Sequence, residues 1–323
     1  MQKQTAKHIP RWGWYLLAVL PALIAAPNGL VVKMIDGEID PAWINALRFL
    51  IASIVLLPFV LRATGRMTRQ NIRYAVLQGV AYATAVTSFV FSVSLGQASY
   101  TSVVALGIPI ALMTYSVYLT REKVSRRAML GVSMAALGAF IVVGVPLFVG
   151  QGFASEIHPV ATILAFVNVL ASPLAVICSR KANDAGLPMS ATFGVALMTA
   201  FVLTTGVAIV TTGELMPIKA IVQQPMFVMG VLYMALGVSL VARMLTVVTY
   251  RRLGSAVTGG MQYVENFLAI TLPILLLNER MTIEMLLGGV LILLGGYFDG
   301  TTPSVAAQRS SLGGLSESAI VSE

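Results

Sequence analysis

Ten runs of about twenty apolar residues, separated by short polar connections, make up most of this chain of 323 residues. A helix needs about 20 apolar residues to cross the hydrocarbon core of a bilayer. The runs lie at about 13–33, 41–61, 74–95, 99–119, 128–149, 159–179, 188–210, 226–249, 255–277 and 283–300. Only 11% of the residues are charged and 57% are hydrophobic, whereas a soluble domain carries about 25% charged residues. A soluble fold of this length needs polar surface that this chain lacks. The expected fold class is therefore an all-α integral membrane protein with ten transmembrane helices and the lipid bilayer as its immediate partner.

The distribution of basic residues sets the expected orientation. The formal net charge is +8, but the charges sit in short blocks between apolar runs, a topological signal rather than a nucleic-acid footprint. With the N-terminus placed in the cytoplasm, sixteen of the 21 Lys and Arg residues fall on the cytoplasmic side, three on the other side, and two, Arg48 and Arg243, within spans. Cytoplasmic loops of membrane proteins carry such an excess. Both termini are thus expected to be cytoplasmic. Trp12, Trp14, Tyr15 and Trp43 lie at span ends, as an aromatic belt requires. The first run continues through Leu30, Val31 and Val32, too far for a cleaved leader. Residues 1–12 then form a cytoplasmic N-terminus, and 301–323, rich in Ser, Gly and Ala, a disordered cytoplasmic tail.

No metal-binding or catalytic motif is visible: there is no P-loop, no HExxH, no GxSxG and no zinc-type cluster. The single cysteine, Cys178, excludes an intrachain disulfide. The chain reads as a protein without catalytic residues, cofactor or metal. A membrane enzyme would need catalytic groups gathered at one interface, and a channel would need polar residues along one helix face.

The two halves of the chain resemble one another. Leu119 to Phe140 (LTREKVSRRAMLGVSMAALGAF) and Leu277 to Tyr297 (LNERMTIEMLLGGVLILLGGY) align with Glu122 on Glu279, Gly131 on Gly288 and Gly138 on Gly295, each 157 residues apart. Near the start of each half, Pro27 matches Pro173. The repeat unit is five spans, residues 13–149 and 158–300, and five is odd. The second copy therefore enters the membrane from the opposite side, giving two inverted five-helix repeats. That architecture is common in secondary transporters, whose site lies near midplane between the repeats, often at interrupted helices. The glycines are expected to serve close helix approach.

These motifs resemble the drug/metabolite transporter superfamily, in its EamA-like family of the ten-helix type. Pro41 followed by Arg48 to Ala52 is similar to the family's second-helix signature. The spacing Glu-x8-Gly-x6-Gly after helices four and nine resembles its repeat-end signature, and Tyr250 to Ala256 resembles the link between helices eight and nine. The chain departs from the pattern at Pro27-Asn28, where Trp-Gly is usual, and at Asn266, where Pro is usual. The resemblance implies alternating-access movement of a small organic solute, and it makes a bacterial inner membrane the expected location. Direction, coupling ion and solute stay open, as does a homodimer.

Three charged residues lie within the spans: Arg48, Arg243 and Glu265. Each costs at least roughly 2.5–3.5 kcal/mol in the membrane when unpaired, so all three should face the interior or water. At about 1.5 Å per residue, Glu265 sits about 15 Å from the cytoplasmic face, Arg243 about 12 Å from it, and Arg48 about 10 Å from the other face. An Arg243–Glu265 ion pair is expected. Arg48 is equally readable as a structural cation bonded to backbone carbonyls. Together the three sum to one positive charge, which suits an anionic or zwitterionic solute such as an amino acid. Glu265 alternatively exchanges protons, or alone selects cationic amines or drugs for export. Gln262, Tyr263 and Asn266 lie within one turn of Glu265, and Asn28, Gln78, Tyr82, Asn168 and Tyr233 are mid-span polar residues. Each is readable either as a solute contact or as an interhelical hydrogen bond.

Overall fold

The computed structural model of the protein describes residues 11–37, 39–108, 110–112, 114–115, 126–149, 158–213 and 223–300. The tail at 301–323, most of the N-terminal segment and Glu122 lie outside these residues. Among the described residues the secondary structure is helical throughout, as lipid demands: with no water to bond the backbone, each segment must satisfy its own N–H and C=O groups. The helices are α1 (Arg11–Ala25), α2 (Asn28–Met34), α3 (Pro41–Arg62), α4 (Arg69–Leu95), α5 (Ala98–Ala105), α6 (Arg126–Val149), α7 (Pro159–Asp184), α8 (Met189–Thr212) and α9 (Pro225–Leu232). A π-helical segment (Tyr233–Ala242), α10 (Arg243–Leu277) and α11 (Ile283–Gly300) complete the described chain.

Among the described residues, six stretches are long and apolar enough to cross a membrane: Gly13–Met34, Pro41–Arg62, Arg69–Leu95, Pro159–Asp184, Met189–Thr212 and Pro225–Thr246. Ala98–Leu112, Val264–Leu277 and Ile283–Gly295 are shorter apolar helices. The long, exposed aliphatic side chains on these elements, among them Ile163, Val202, Val210 and Leu275, form an apolar exterior. This is an all-helical membrane architecture.

Polar residues fix where the helices begin and end. Asp40 accepts a hydrogen bond from the Ala42 amide at 2.8 Å, and Pro41 takes the first position of α3. Thr68 and Asn71 close a capping box at the start of α4. At the other end of α4, Lys33 Nζ donates to the carbonyls of Val93, Ser94 and Gly96 at 3.0–3.2 Å. The Glu279 carboxylate accepts from the amides of Ala98 and Ser99, at 2.9 and 2.8 Å, and from the Ser99 hydroxyl. A cation thus meets the negative end of one helix and an anion the positive end of the next.

Helix α4 packs against α7 and α8, α3 against α8, α6 against α11, and α1 against α10. Two apolar clusters stack along α3. One holds Val32, Ile35, Trp43, Ile44, Ala46, Phe227 and Met234. The other holds Phe49, Ala52, Leu56, Ala83, Leu197 and Leu240. Arg48 lies between them in sequence, buried at 2% exposure.

Three local features go beyond the sequence reading. Pro27 interrupts the first helix, and α2 starts just beyond it, whereas α7 runs through the buried Pro173 without a break. The matched prolines therefore have different effects: α7 is held along its length by α4, and a proline inside so well-packed a helix does not end it. The link expected at Tyr250 to Gly254 is helical, and backbone helix runs on to Leu277. Arg and Leu are good helix formers, and no proline stops the chain there. The chain nevertheless doubles back, because Tyr233 and Glu265 are within electrostatic reach of each other, whereas a straight helix would hold them about 48 Å apart. Finally, the stretch before α10 is π-helical over ten residues, a geometry no periodicity signals.

Close helix contact is expected to govern stability. A Cβ on Gly79 would lie 2.5 Å from the Ala196 carbonyl oxygen, whereas one on Gly65 meets nothing within 4 Å. Gly79→Ala should destabilise the protein by about 1–3 kcal/mol through overpacking of α4 on α8. The melting temperature of the detergent-purified protein should fall for Gly79→Ala and stay unchanged for Gly65→Ala.

Candidate functional site

The interruption at Pro27 exposes backbone in the middle of the bundle. Proline has no N–H, and the last carbonyls of a helix have no partner within it. The Tyr233 hydroxyl, from the π-helical segment, donates to the carbonyl of Ile24 in the last turn of α1. Asn28, the first residue of α2, presents its side-chain oxygen to Arg48, whose Nη1 donates at 3.2 Å. Arg48 Nε donates to the hydroxyl of Ser239 at 2.7 Å. Three elements, α2, α3 and the π-helical segment, thus meet on one guanidinium.

The partners of Arg48 are neutral oxygens, so its charge is solvated but not neutralised by them. A second cation lies near. The Arg243 guanidinium stands 5.5 Å from the ring centroid of Tyr82, within the range of a cation–π contact. Tyr82 also packs on Phe49, with ring centroids 5.5 Å apart, and its hydroxyl lies close to Ser239 and Arg243. Arg48 and Arg243 are within electrostatic reach of each other and of Tyr82. Arg48 is buried whereas the Arg243 side chain is exposed.

Glu265 stands on the Tyr233 side of this cluster. Among the described residues, Arg243 contacts the ring of Tyr82. Asn28, Arg48, Tyr82 and Arg243 thus lie in one cluster, with Glu265 within electrostatic reach of Tyr233. Gln78 lies one turn before Tyr82 on α4, buried, with its side-chain oxygen unpartnered. Asn168 is not drawn in: its oxygen accepts from Ser172 on the same helix at 3.0 Å, and its neighbour Val169 belongs to a separate apolar cluster with Tyr100 and Ile270. Asn266 is half-buried beside Glu265. The side chains of Gln262 and Tyr263 lie outside the described set. Ser239 was not legible as a site residue. A lone serine in an apolar run gives no signal, and only the π-helical turn presents it to Arg48.

Among the described residues no group of three or more His, Cys, Asp or Glu side chains is placed to hold a metal ion. What the arrangement can do is hold an anionic group: two cations, a phenol and two small polar side chains converge between apolar clusters.

Comparison with known proteins agrees with a membrane carrier. Residues 12–144 match the model of the EamA-like transporter family. Among solved structures, 24 chains match. One, described simply as "Crystal structure of protein", is 19% identical with a TM-score of 0.59, covering 93% of this chain and 99% of the other. At that identity the likeness is one of fold. No curated protein matches the chain.

The hydrogen bond from Arg48 to Ser239 joins a buried charge to a neutral partner, a class worth about 1.5–3 kcal/mol. Ser239→Ala should lower the melting temperature accordingly, while Ser239→Thr, which keeps the hydroxyl, should restore most of it.

Proposed function

We propose that this chain, whose residues 12–144 match the EamA-like transporter family, is a secondary transporter for a small organic solute bearing a carboxylate, an amino acid or an organic anion. The observation that carries this reading is Arg48, buried between apolar clusters and, among the described residues, hydrogen-bonded to the neutral Asn28 and Ser239 and to no carboxylate. A buried guanidinium without a carboxylate partner is costly unless something anionic visits it. Its planar fork matches a carboxylate in two-point contact. Arg243, exposed beside it, supplies the second charge, and Tyr82, backed by the buried Phe49, offers ring surface to the apolar part of the solute.

The mechanism is alternating access across ten spans, arranged as inverted repeats over 13–149 and 158–300. Packing supports that arrangement. Gly138 and Gly288 approach so closely that a Cβ on either would lie 2.5 Å from the carbonyl oxygen of the other. The 157-residue offset carries this pair onto Gly295 and Gly131, both buried. The contact of α4 with α7 is likewise answered by that of α1 with α10 and the π-helical segment. The excess of basic residues on one side favours cytoplasmic termini, in a bacterial inner membrane. Glu265, near Tyr233, is the residue to couple transport to protons.

A thermal-shift screen of detergent-purified protein against organic acids, amino acids, nucleobases and amines tests this reading. A ligand that binds only the folded state stabilises it, by about 2.7 kcal/mol at a hundred times its Kd. Carboxylate-bearing compounds should raise the melting temperature, and Arg243→Gln should abolish the rise. Stabilisation by amines alone, lost in Glu265→Gln, would replace this reading with export of cationic amines or drugs.

A further inference from the structure

Asn45 is fully buried at 0% exposure, yet neither its side-chain oxygen nor its nitrogen has a hydrogen-bond partner. An unsatisfied buried amide costs about 1–3 kcal/mol, and a leucine of similar size costs nothing of the kind. The residues on either side, Ile44 and Ala46, belong to the apolar cluster, so in this conformation the amide's polar atoms gain nothing from their surroundings. Asn45 lies three residues from Arg48 on α3, on the same face and about 4.5 Å along the axis, towards the Pro41 end. Gln78, the other buried amide with an unpartnered oxygen in this region, lies one turn from Tyr82 towards the opposite end of the bundle.

We propose that Asn45 is a second solute-contacting residue, one helical turn from Arg48, that takes the carboxylate as it moves between the cluster and the Pro41 end of the bundle. This rests on the transporter reading above. The two N–H donors of Asn45 suit a carboxylate leaving the guanidinium, and its oxygen suits a hydroxyl or ammonium on the same solute. In the present conformation the pathway at Asn45 is closed by the cluster of Ile35, Trp43, Phe227 and Met234. In the conformation open at that end, the amide faces water and solute.

Access can be read without knowing the solute. Cys178 is the single cysteine, so Asn45→Cys and Ala46→Cys are made in a Cys178→Ser background. Each is treated with an anionic methanethiosulfonate reagent in membrane vesicles. Ala46 is equally buried, at 0% exposure, but sits within the apolar cluster. An open state populated at even about 1% gives water-soluble reagent access to one position and not the other. The thiol at 45 should react at least about ten-fold faster than the thiol at 46, and faster with the anionic than with a cationic reagent, because Arg48 is adjacent. Equal, slow labelling at both positions would overturn the proposal. Should Asn45→Cys fail to fold, Asn45→Leu is made instead: it should raise the melting temperature by removing the unpartnered amide while weakening the thermal shift given by carboxylates, and an undiminished shift would overturn the proposal. Labelling needs no ligand, so absence of a carboxylate thermal shift would overturn the anion reading while leaving the access result to stand by itself.

Discussion

A guanidinium held inside a membrane bundle is the constraint around which this structure is organised. Arg48 cannot be left bare in a medium without water. Its hydrogen bonds reach Asn28 across the broken first helix and Ser239 on the π-helical segment. The same segment satisfies the Ile24 carbonyl that the break leaves free. The interruption at Pro27, the widened helix at 233–242 and the buried charge are therefore one solution to a single requirement. Altering any of the three strands the others.

Around this polar centre the stability comes from close approach. Glycine faces such as Gly79 on α8 and Gly138 on Gly288 bring backbones together where bulkier residues would hold them apart. In lipid, where apolar side chains gain nothing by leaving one apolar medium for another, contact of this kind is what holds helices in register. Apolar clusters above and below Arg48 then isolate the charged centre, which strengthens every electrostatic interaction within it.

The membrane class was legible because length and hydropathy are properties of the chain itself. Arg48, Arg243 and Glu265 stood out because a charge inside an apolar run needs a reason, and Asn28 and Tyr82 followed as their polar neighbours. What stayed hidden depends on contacts or on backbone geometry. Ser239 is an ordinary residue until a π-helical turn aims it at Arg48. Depth along the chain brings Arg243 near Glu265, but its contact with the Tyr82 ring depends on packing that the sequence does not show. Pro27 and Pro173 look equivalent in sequence, and only packing tells a helix end from a tolerated proline. Asn45 resembles any mid-helix amide until its lack of partners is seen.

The tight turn between α4 and α5 is held from both sides. Lys33, on the second half of the broken first helix, grips its carbonyls, and Glu279, leading into α11, grips its amides. The two side chains come from opposite ends of the sequence and act on opposite poles of the same few peptide units. The turn is thus a fulcrum: any rocking that widens this end of the bundle must either carry both side chains along as a rigid lever or release one pole at a time.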